Sequence, residues 1–452
     1  MERPPTTPSG KCKKLLLSLH KLDGQFIMYC QWRQLLLARS VFCQEDFTKF
    51  VPIWLKSVSA YDMEDRMYNF DKLTDRRGVG SLKWDVPERE LPMWVADMDF
   101  ETAPEITEAL KARAAHAIFG YSVITEDWYD AYIRWWKRRH NLVMEKEWLI
   151  FCTGVVPAIS SAVRKLTTVG ENVLVQTPVY NIFFNSIRNN GRNILESPLV
   201  YDGRQYSIDF ADLEDKLSDP QTTLMLLCNP HNPVGKIWDK ETLARIGELC
   251  AKHHVLVLSD EIHCDLTDPG YEYVPFASVS EVCRSNSITC MAPTKAFNLA
   301  GLQTAAVMVP DPVIRHKLNR GLNTDEVAEP NAFAVGAAVA AFEKGESWLE
   351  ELREYLYENK RWVRKFMEEQ LPVIKVVPSD ATYLLWLDCS QVTDDAGALC
   401  SFIRQDSGLY LTEGVEYGSG GRQFVRMNTA CPRERLMDGL TRLKKSVEAY
   451  GA

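Results

Sequence analysis

From about residue 148 onward, short apolar runs alternate with longer amphipathic stretches. The runs are Trp148-Leu-Ile-Phe, Asn172-Val-Leu-Val-Gln, Thr223-Leu-Met-Leu-Leu-Cys, Val255-Leu-Val-Leu, Ser287-Ile-Thr-Cys-Met and Thr304-Ala-Ala-Val-Met-Val. Most are continuously apolar rather than alternating, the pattern of strands covered on both faces. The segments 156–168, 209–218 and 239–253 between them have helical spacing. In the last, Leu243, Ile246, Leu249 and Cys250 fall on one side. Strands alternating with helices predict an α/β sandwich around a largely parallel sheet. In such sheets ligands sit beyond the C-terminal ends of the strands.

The texture differs on either side. Residues 68–100 are rich in Pro and Trp and read as mostly extended, with Gly78 and Gly80 as turns. Thr102-Ala-Pro104-Glu predicts a helix start, with Thr102 as cap and Ile106, Ala109, Leu110 and Ala114 as the apolar face. Trp128 to His140 reads as a second amphipathic helix whose basic side, Lys137, Arg138 and Arg139, is expected in solvent. After about 345 a long charged helix, Trp348 to Gln370, leads to two short strands, Thr382-Tyr-Leu-Leu-Trp-Leu and Gln423-Phe-Val-Arg-Met, and a closing helix from Pro432. The expected organisation is an N-terminal extension (1–66), an arm contributing to a small domain (67–104), a large domain (105–345) and a small C-terminal domain (346–452). The Pro/Thr-rich Met1–Gly10 reads as disordered. The whole extension reads as poorly ordered chain from an upstream start, with Met63 or Met67 as the natural beginning; an organellar targeting segment is the alternative.

Composition narrows the function. The 452 residues are 46% hydrophobic and 25% charged, ordinary for a globular protein of two domains. A net charge of −9 argues against a nucleic-acid or anionic-membrane binder. The twelve cysteines show no CxxC pair and no zinc spacing, so no metal site is expected and reduced thiols in the cytoplasm are. No run approaches the length of a membrane helix.

Three polar residues follow the C-terminal ends of predicted strands: Asn232 in Cys228-Asn-Pro-His-Asn-Pro-Val-Gly235, Asp260 in Val255-Leu-Val-Leu-Ser-Asp-Glu-Ile-His263, and Lys295 in Ala292-Pro-Thr-Lys-Ala-Phe-Asn-Leu-Ala-Gly301. Alone, each has an ordinary explanation: a surface lysine, an aspartate capping a turn, an asparagine in a loop. Together they meet the needs of pyridoxal 5′-phosphate. Lys295 is the Schiff-base lysine, in an apolar neighbourhood that lowers its pKa. Asp260 faces the pyridine nitrogen, because a buried carboxylate needs a cationic partner. Asn232 donates to the ring 3′-oxygen, with His263 near the same edge. Gly154, Val155 and Val156 open a helix whose N–H groups suit a phosphate, and the Thr294 hydroxyl adds to them. Tyr180, in Thr177-Pro-Val-Tyr, can lie over the ring. Arg426, inside the apolar Phe424-Val-Arg-Met-Asn, is costly to bury unpaired and is the choice for a substrate carboxylate.

These motifs resemble a PLP fold-type-I enzyme of the class I/II aminotransferase superfamily. Trp94-Val-Ala-Asp-Met-Asp-Phe100, Phe119-Gly-Tyr-Ser122, Gly154-Val-Val-Pro-Ala158, Ser259-Asp-Glu-Ile-His-Cys-Asp-Leu266 and Thr294-Lys-Ala-Phe-Asn-Leu-Ala-Gly-Leu302 are similar to the bacterial cystathionine β-lyase and C–S lyase group that includes cystalysin. The resemblance covers roughly 67–450. It implies a large domain with a mostly parallel seven-stranded sheet sandwiched by helices, and a smaller α+β domain from both terminal segments. It also implies the roles above for Lys295, Asp260, Asn232, Tyr180 and Arg426, and a homodimer in which Tyr121 reaches the neighbouring subunit's cofactor phosphate and substrate. The chain departs from the pattern at Asn181, where relatives often carry a second aromatic, which bears on substrate preference. Ala292 replaces the serine common three residues before the lysine. Gln303 stands eight residues after the lysine, where many transaminases have arginine. Both fit the lyase branch. The stretch 321–333 also differs.

The expected activity is α,β-elimination on a cysteine S-conjugate such as cystathionine or cystine, giving pyruvate, ammonia and a thiol, with Lys295 as general base. An aminotransferase on the same scaffold is the first alternative. A regulatory or binding protein retaining the cofactor is the second, and the complete Lys, Asp, Asn and Arg set argues against it.

Overall fold

In the computed structural model, which describes residues 67–451, seven strands form one sheet. Their spatial order is Leu149–Cys152, Ala305–Met308, Ser287–Met291, Leu256–Asp260, Thr222–Cys228, Asn172–Val175 and Asn193–Glu196. Only Ala305–Met308 runs antiparallel to its neighbours. The readings made for residues 1–66 lie outside the described residues.

The continuous apolar runs are explained by the two layers of helix. Successive residues of a strand point to opposite faces. Leu224, Leu226 and Cys228 join one buried cluster with helices Val155–Leu166, Ile182–Arg188 and Pro312–Thr324. Met225 and Leu227 join another with helices Phe210–Leu217 and Lys240–Lys252. Likewise Phe151 and Met291 face a third cluster, rich in aromatics, under helices Glu126–His140 and Ala334–Lys344. There Trp128, Tyr132, Trp135 and Trp136 are fully buried, and Phe342 packs between Tyr132 and Trp135 at ring distances of 4.8 and 5.1 Å.

A second, antiparallel sheet orders Lys375–Val376, Leu384–Asp388, Phe424–Asn428 and Thr412–Glu413. The N-terminal arm joins it: Leu91–Pro92 pairs in parallel with Leu409–Tyr410, and the Asn428 N–H donates to the Met93 carbonyl at 2.9 Å. Among the described residues, no helix is long and apolar enough to cross a membrane.

Three local expectations are corrected. Asn193–Glu196, the seventh strand, was not among the predicted runs; it is a short, partly exposed edge that needs no continuous apolar stretch. Thr102 does not cap the helix Pro104–Ala115. Ala103 holds the cap position, and the Thr102 hydroxyl donates to the Phe297 carbonyl at 2.7 Å, tying the arm to the segment after Lys295. Arg139 is not a solvated side chain but pairs with Asp265 (3.4 Å), Glu346 (3.1 Å) and Glu350 (2.6 Å).

The two sheets are tied by a buried ion pair. Lys360, on the long helix Glu346–Gln370, lies 2.6 Å from Asp268, and both side chains are almost fully buried. Lys360 also donates to the Thr382 carbonyl at 3.2 Å, and the Asp268 N–H donates to Asp380 at 2.7 Å. Burial pushes the Lys360 amine down to about 8 and raises the Asp268 carboxyl, so each charge depends on the other. Asp268→Ala is expected to lower unfolding free energy by about 3–5 kcal/mol by stranding the ammonium. Asp268→Ala with Lys360→Met should recover most of that loss in urea unfolding. A single-variant cost under about 1 kcal/mol would refute the account.

Candidate active site

The register of the main sheet brings the polar residues to one edge. Cys228 pairs with Asp260, and Asp260 with Cys290, so three adjacent strands end level. Asn232 lies in the turn after the first, Asp260 closes the second, and Lys295 follows the third by four residues. Gly154 follows Cys152, and Tyr180 follows Val175, at the same edge.

The turn carrying Asn232 is fixed from both sides. The Asn232 N–H donates to the Cys228 thiol sulfur at 3.4 Å, and the Gly235 N–H to the His231 carbonyl at 2.7 Å. Gly235 adopts a φ of +71°, and a Cβ there would lie 2.6 Å from Ser379 and 2.8 Å from the Ala381 carbonyl. Only glycine allows this approach. Its carbonyl in turn accepts from the N–H groups of Asp380 and Ala381 at 2.8 and 3.0 Å, which seats the turn against the second sheet.

Arg426 comes from the middle of a fully buried strand of that sheet. It donates through Nη2 to the Trp94 carbonyl (2.8 Å) and through Nη1 to Asn232 Oδ1 (3.3 Å), and its guanidinium lies 4.9 Å from the centre of the Tyr417 ring. Lys295 Nζ donates to the Ala96 carbonyl at 2.6 Å, which also accepts from the Tyr383 hydroxyl at 3.0 Å. Asn428 Nδ2 reaches the carbonyls of Val95 and Asp97 at 2.6 and 2.7 Å. The segment 94–97 therefore crosses the site as a row of carbonyls holding Arg426, Lys295, Tyr383 and Asn428. Sequence reasoning placed no function on this segment or on Tyr383, which sat inside an apolar run. Asp97 and Asp99 anchor it from behind: Arg76 lies 2.7 Å from Asp97 and Lys83 lies 3.2 Å from Asp99.

Burial moves the titrating groups toward neutrality. It lowers Lys295 to about 8, with Asp97 opposing and Arg426 reinforcing the shift. It raises the Asp260 carboxyl to about 7, opposed by the Ile262 N–H and by Lys295. It lowers His263 to about 3, helped by Lys295 and Arg426. The Tyr180 hydroxyl rises to about 12, through burial and then the nearby Asp260.

The site has a set of open valences. Among the described residues, the Asp260 carboxylate accepts one hydrogen bond, from the Ile262 N–H at 3.2 Å, and no cation bonds it. His263 Nδ1 and Arg426 Nε are buried without partners. No described acceptor takes the Asn232 Nδ2 protons, since its bond to Arg426 uses the carbonyl oxygen. Helix Val155–Leu166 begins after Gly154 with no side-chain cap, leaving its first N–H groups available. A ligand with an acidic ring N–H, an anionic oxygen and a phosphate satisfies these groups together, so the residues fit pyridoxal phosphate. Thr294 is buried beside Lys295.

Two expected contributors stand apart. Asn181 Nδ2 donates to Glu416 Oε2 at 2.8 Å, a partner the sequence did not suggest. Tyr121 is fully exposed, and Ile118, Phe119 and Val123 nearby are more than half exposed, so within one chain it does not enter the site. A separate cluster of His140, Cys264 and Asp265 has metal-ligand residue types. Its carboxylate already accepts from Trp135 Nε1 (3.0 Å) and pairs with His140 (2.9 Å) and Arg139 (3.4 Å), and burial holds the Cys264 thiol protonated.

A sequence model of the class I and II aminotransferases matches residues 91–443. The cystathionine β-lyase PatB of Bacillus subtilis (strain 168) is 44% identical over 385 residues, covering 84% of this chain and 100% of its own. Cystalysin from Treponema denticola, whose crystal structure contains pyridoxal 5′-phosphate, superposes with a TM-score of 0.82 at 34% identity, covering 85% of this chain and 100% of its own. The PLP-bound C–S lyase of Staphylococcus hominis gives 0.80 at 30% identity, covering 85% and 99%.

The buried Asp260 carboxyl makes a testable demand on the cofactor-free protein. With its pKa raised to about 7, the folded chain keeps a proton that the unfolded chain releases near pH 4. Its contribution is therefore favourable at low pH and is lost as pH rises toward 7. Asp260→Asn apoprotein should match wild type near pH 4 and exceed it by about 3–4 kcal/mol near pH 8, by urea midpoints. An equal difference at both pH values would contradict the assignment.

Proposed function

Because the chain belongs to the aminotransferase class I and II family, we propose that it is a pyridoxal-phosphate-dependent carbon–sulfur β-lyase that, with water, splits cysteine S-conjugates into pyruvate, ammonia and the released sulfur fragment, a thiol from the thioether cystathionine and thiocysteine from the disulfide cystine. The observation that carries this reading is the meeting of Lys295, Asp260 and Asn232 at the edge of the main sheet with Arg426 from the second sheet, where Asp260 has no bonded cation and Arg426 Nε no partner. The likeness to cystathionine β-lyase and to cystalysin favours elimination over transamination.

Bound here, pyridoxal phosphate would supply an electron sink conjugated to the substrate's Cα. Asp260 would hold the ring N–H, which also removes the cost of its own burial. Asn232 Nδ2 would donate to the ring oxygen, with His263 neutral alongside. Gly154, Val155, Val156 and Thr294 would take the phosphate. Tyr180 would pack over the ring, its hydroxyl kept protonated by burial and by Asp260. Arg426 would pair with the substrate carboxylate, next to Asn181. Lys295 would hold the cofactor covalently. Its amine, which burial lowers to about 8, would take the Cα proton and return a proton to the departing sulfur.

A homodimer belongs to the same reading. Tyr121 lies on an exposed apolar stretch beside an open groove of about 630 Å³ that includes Gly301, Leu302 and Gln303, just beyond Lys295. A second copy covering this face would bury it and bring Tyr121 to the neighbouring site. The nine described cysteines are all buried and free, which supports a reducing, cytoplasmic setting.

Purified protein is expected to release pyruvate from cystathionine or cystine without added 2-oxo acid, and Lys295→Ala to reduce that rate at least about a hundredfold. Turnover that requires a 2-oxo acid would identify a transaminase instead. If Tyr121 acts across subunits, co-expressed Tyr121→Ala and Lys295→Ala chains should recover about a quarter of wild-type activity through hybrid dimers. Absence of recovery in hybrids isolated by paired affinity tags would place Tyr121 outside the shared site.

A further inference from the structure

Glu416 is a fixed negative charge at the mouth of the site, and the elimination mechanism has no use for it. It lies in the one-turn 3-10 segment Gly414–Tyr417, which follows the edge strand of the second sheet. Two contacts lace that segment to the loop carrying Tyr180. The Val179 N–H donates to the Tyr417 carbonyl at 2.9 Å, and Asn181 Nδ2 donates to Glu416 Oε2 at 2.8 Å. Tyr417 is buried with its ring against the Arg426 guanidinium, whereas Glu416, one residue earlier, is exposed. The carboxylate is thus held beside the residues proposed to clamp the ring and the substrate carboxylate, on the solvent side of both.

No described cation lies at ion-pairing distance from it, and Arg426 acts on it only from farther away. Among the described residues, neither Glu416 nor its neighbour Glu413 forms an ion pair. Partial burial and Glu413 raise the Glu416 carboxyl, and Arg426 opposes them. A ligand cation at this point would relieve the repulsion between the carboxylates. A ligand anion would add to it.

We propose that Glu416, oriented by Asn181, selects thioethers whose sulfur substituent carries a cationic group, such as the distal ammonium of a second amino-acid moiety, over neutral or anionic ones. Arg426 takes the α-carboxylate and Glu416 the far end, so the substrate is read by opposite charges along its length. The inference rests on the β-lyase reading for the placement of the substrate. It also gives Asn181 a specific task, the positioning of a carboxylate.

The test compares S-(2-aminoethyl)-L-cysteine, S-propyl-L-cysteine and S-(2-carboxyethyl)-L-cysteine on the full-length holoenzyme. A unit charge pair near 4 Å in a solvated mouth is worth roughly a fivefold change in affinity. Wild type should therefore prefer the aminoethyl over the propyl substrate in kcat/KM. Glu416→Gln should cut that ratio about fivefold, chiefly through KM, while Glu416→Asp keeps part of it. The preference should also shrink between about 0.05 and 0.5 M salt. An unchanged ratio in Glu416→Gln overturns the proposal, as does an equal loss on all three substrates. Binding of L-lysine and 2-aminoheptanoate, isosteres that carry no leaving group, is measured in parallel by calorimetry. If no thioether yields pyruvate, the lyase reading falls. The lysine-to-aminoheptanoate ratio in wild type and Glu416→Gln then still decides the role of Glu416.

Discussion

The backbone carbonyls of Trp94, Val95, Ala96 and Asp97 impose the constraint on which the site depends. They belong to an irregular, half-buried stretch, so no sheet ladder satisfies them, and carbonyls partly withdrawn from water require donors. The Asp97 N–H reaches the Val95 carbonyl at 3.0 Å, and the side-chain donors come from elsewhere in the chain: Arg426 and Asn428 from the second sheet, Tyr383 just ahead of its central strand, and Lys295 from the edge of the first. The segment is a seam on which the two halves of the site are registered. The Arg76–Asp97 and Lys83–Asp99 pairs hold it in place from behind. Burial alone would raise the Asp99 carboxyl, but Lys83, Trp84, Arg435 and Arg76 outweigh it and keep it ionised.

Charge is handled differently on the two sides of that seam. Behind it, acids and bases are matched within hydrogen-bonding distance. In front of it, Asp260 has no bonded cation and His263 no partner for Nδ1. Groups left this way drift toward their neutral forms, which is costly in a protein meant only to be stable. The cost becomes useful when a ligand of complementary charge arrives, because binding then restores the ionised forms. The fold meets it with ordinary means, layered helices over continuous apolar strands and a buried lysine–aspartate tie between the sheets.

Much of this was legible in the sequence where side chains report on their surroundings. Continuous apolar runs located six of the seven strands, because a strand covered on both faces has no polar position to interrupt it. The seventh, Asn193–Glu196, is a half-covered edge and carries no such mark. Asn232, Asp260 and Lys295 were visible because polar residues at the ends of apolar strands are conspicuous. The carbonyl seam was not, because a backbone oxygen has no residue type. The bond from Lys295 to Ala96 spans 199 positions, which no local pattern records. Tyr383 was hidden for the opposite reason: it lies in an apolar run where an aromatic residue reads as core. Arg139 misled because basic residues at a helix end usually point to water, and here three carboxylates from other segments gather around it.

The doubly engaged oxygen of Ala96 has one further consequence. It works as a berth with two moorings, one to Lys295 and one to Tyr383. A lysine that must leave its resting place to do chemistry would ordinarily abandon a buried acceptor, at a cost of about 1–3 kcal/mol. Here the tyrosine stays behind and keeps the oxygen satisfied, so departure forfeits only the net value of one hydrogen bond. The amine can cast off and return without the seam having to rearrange.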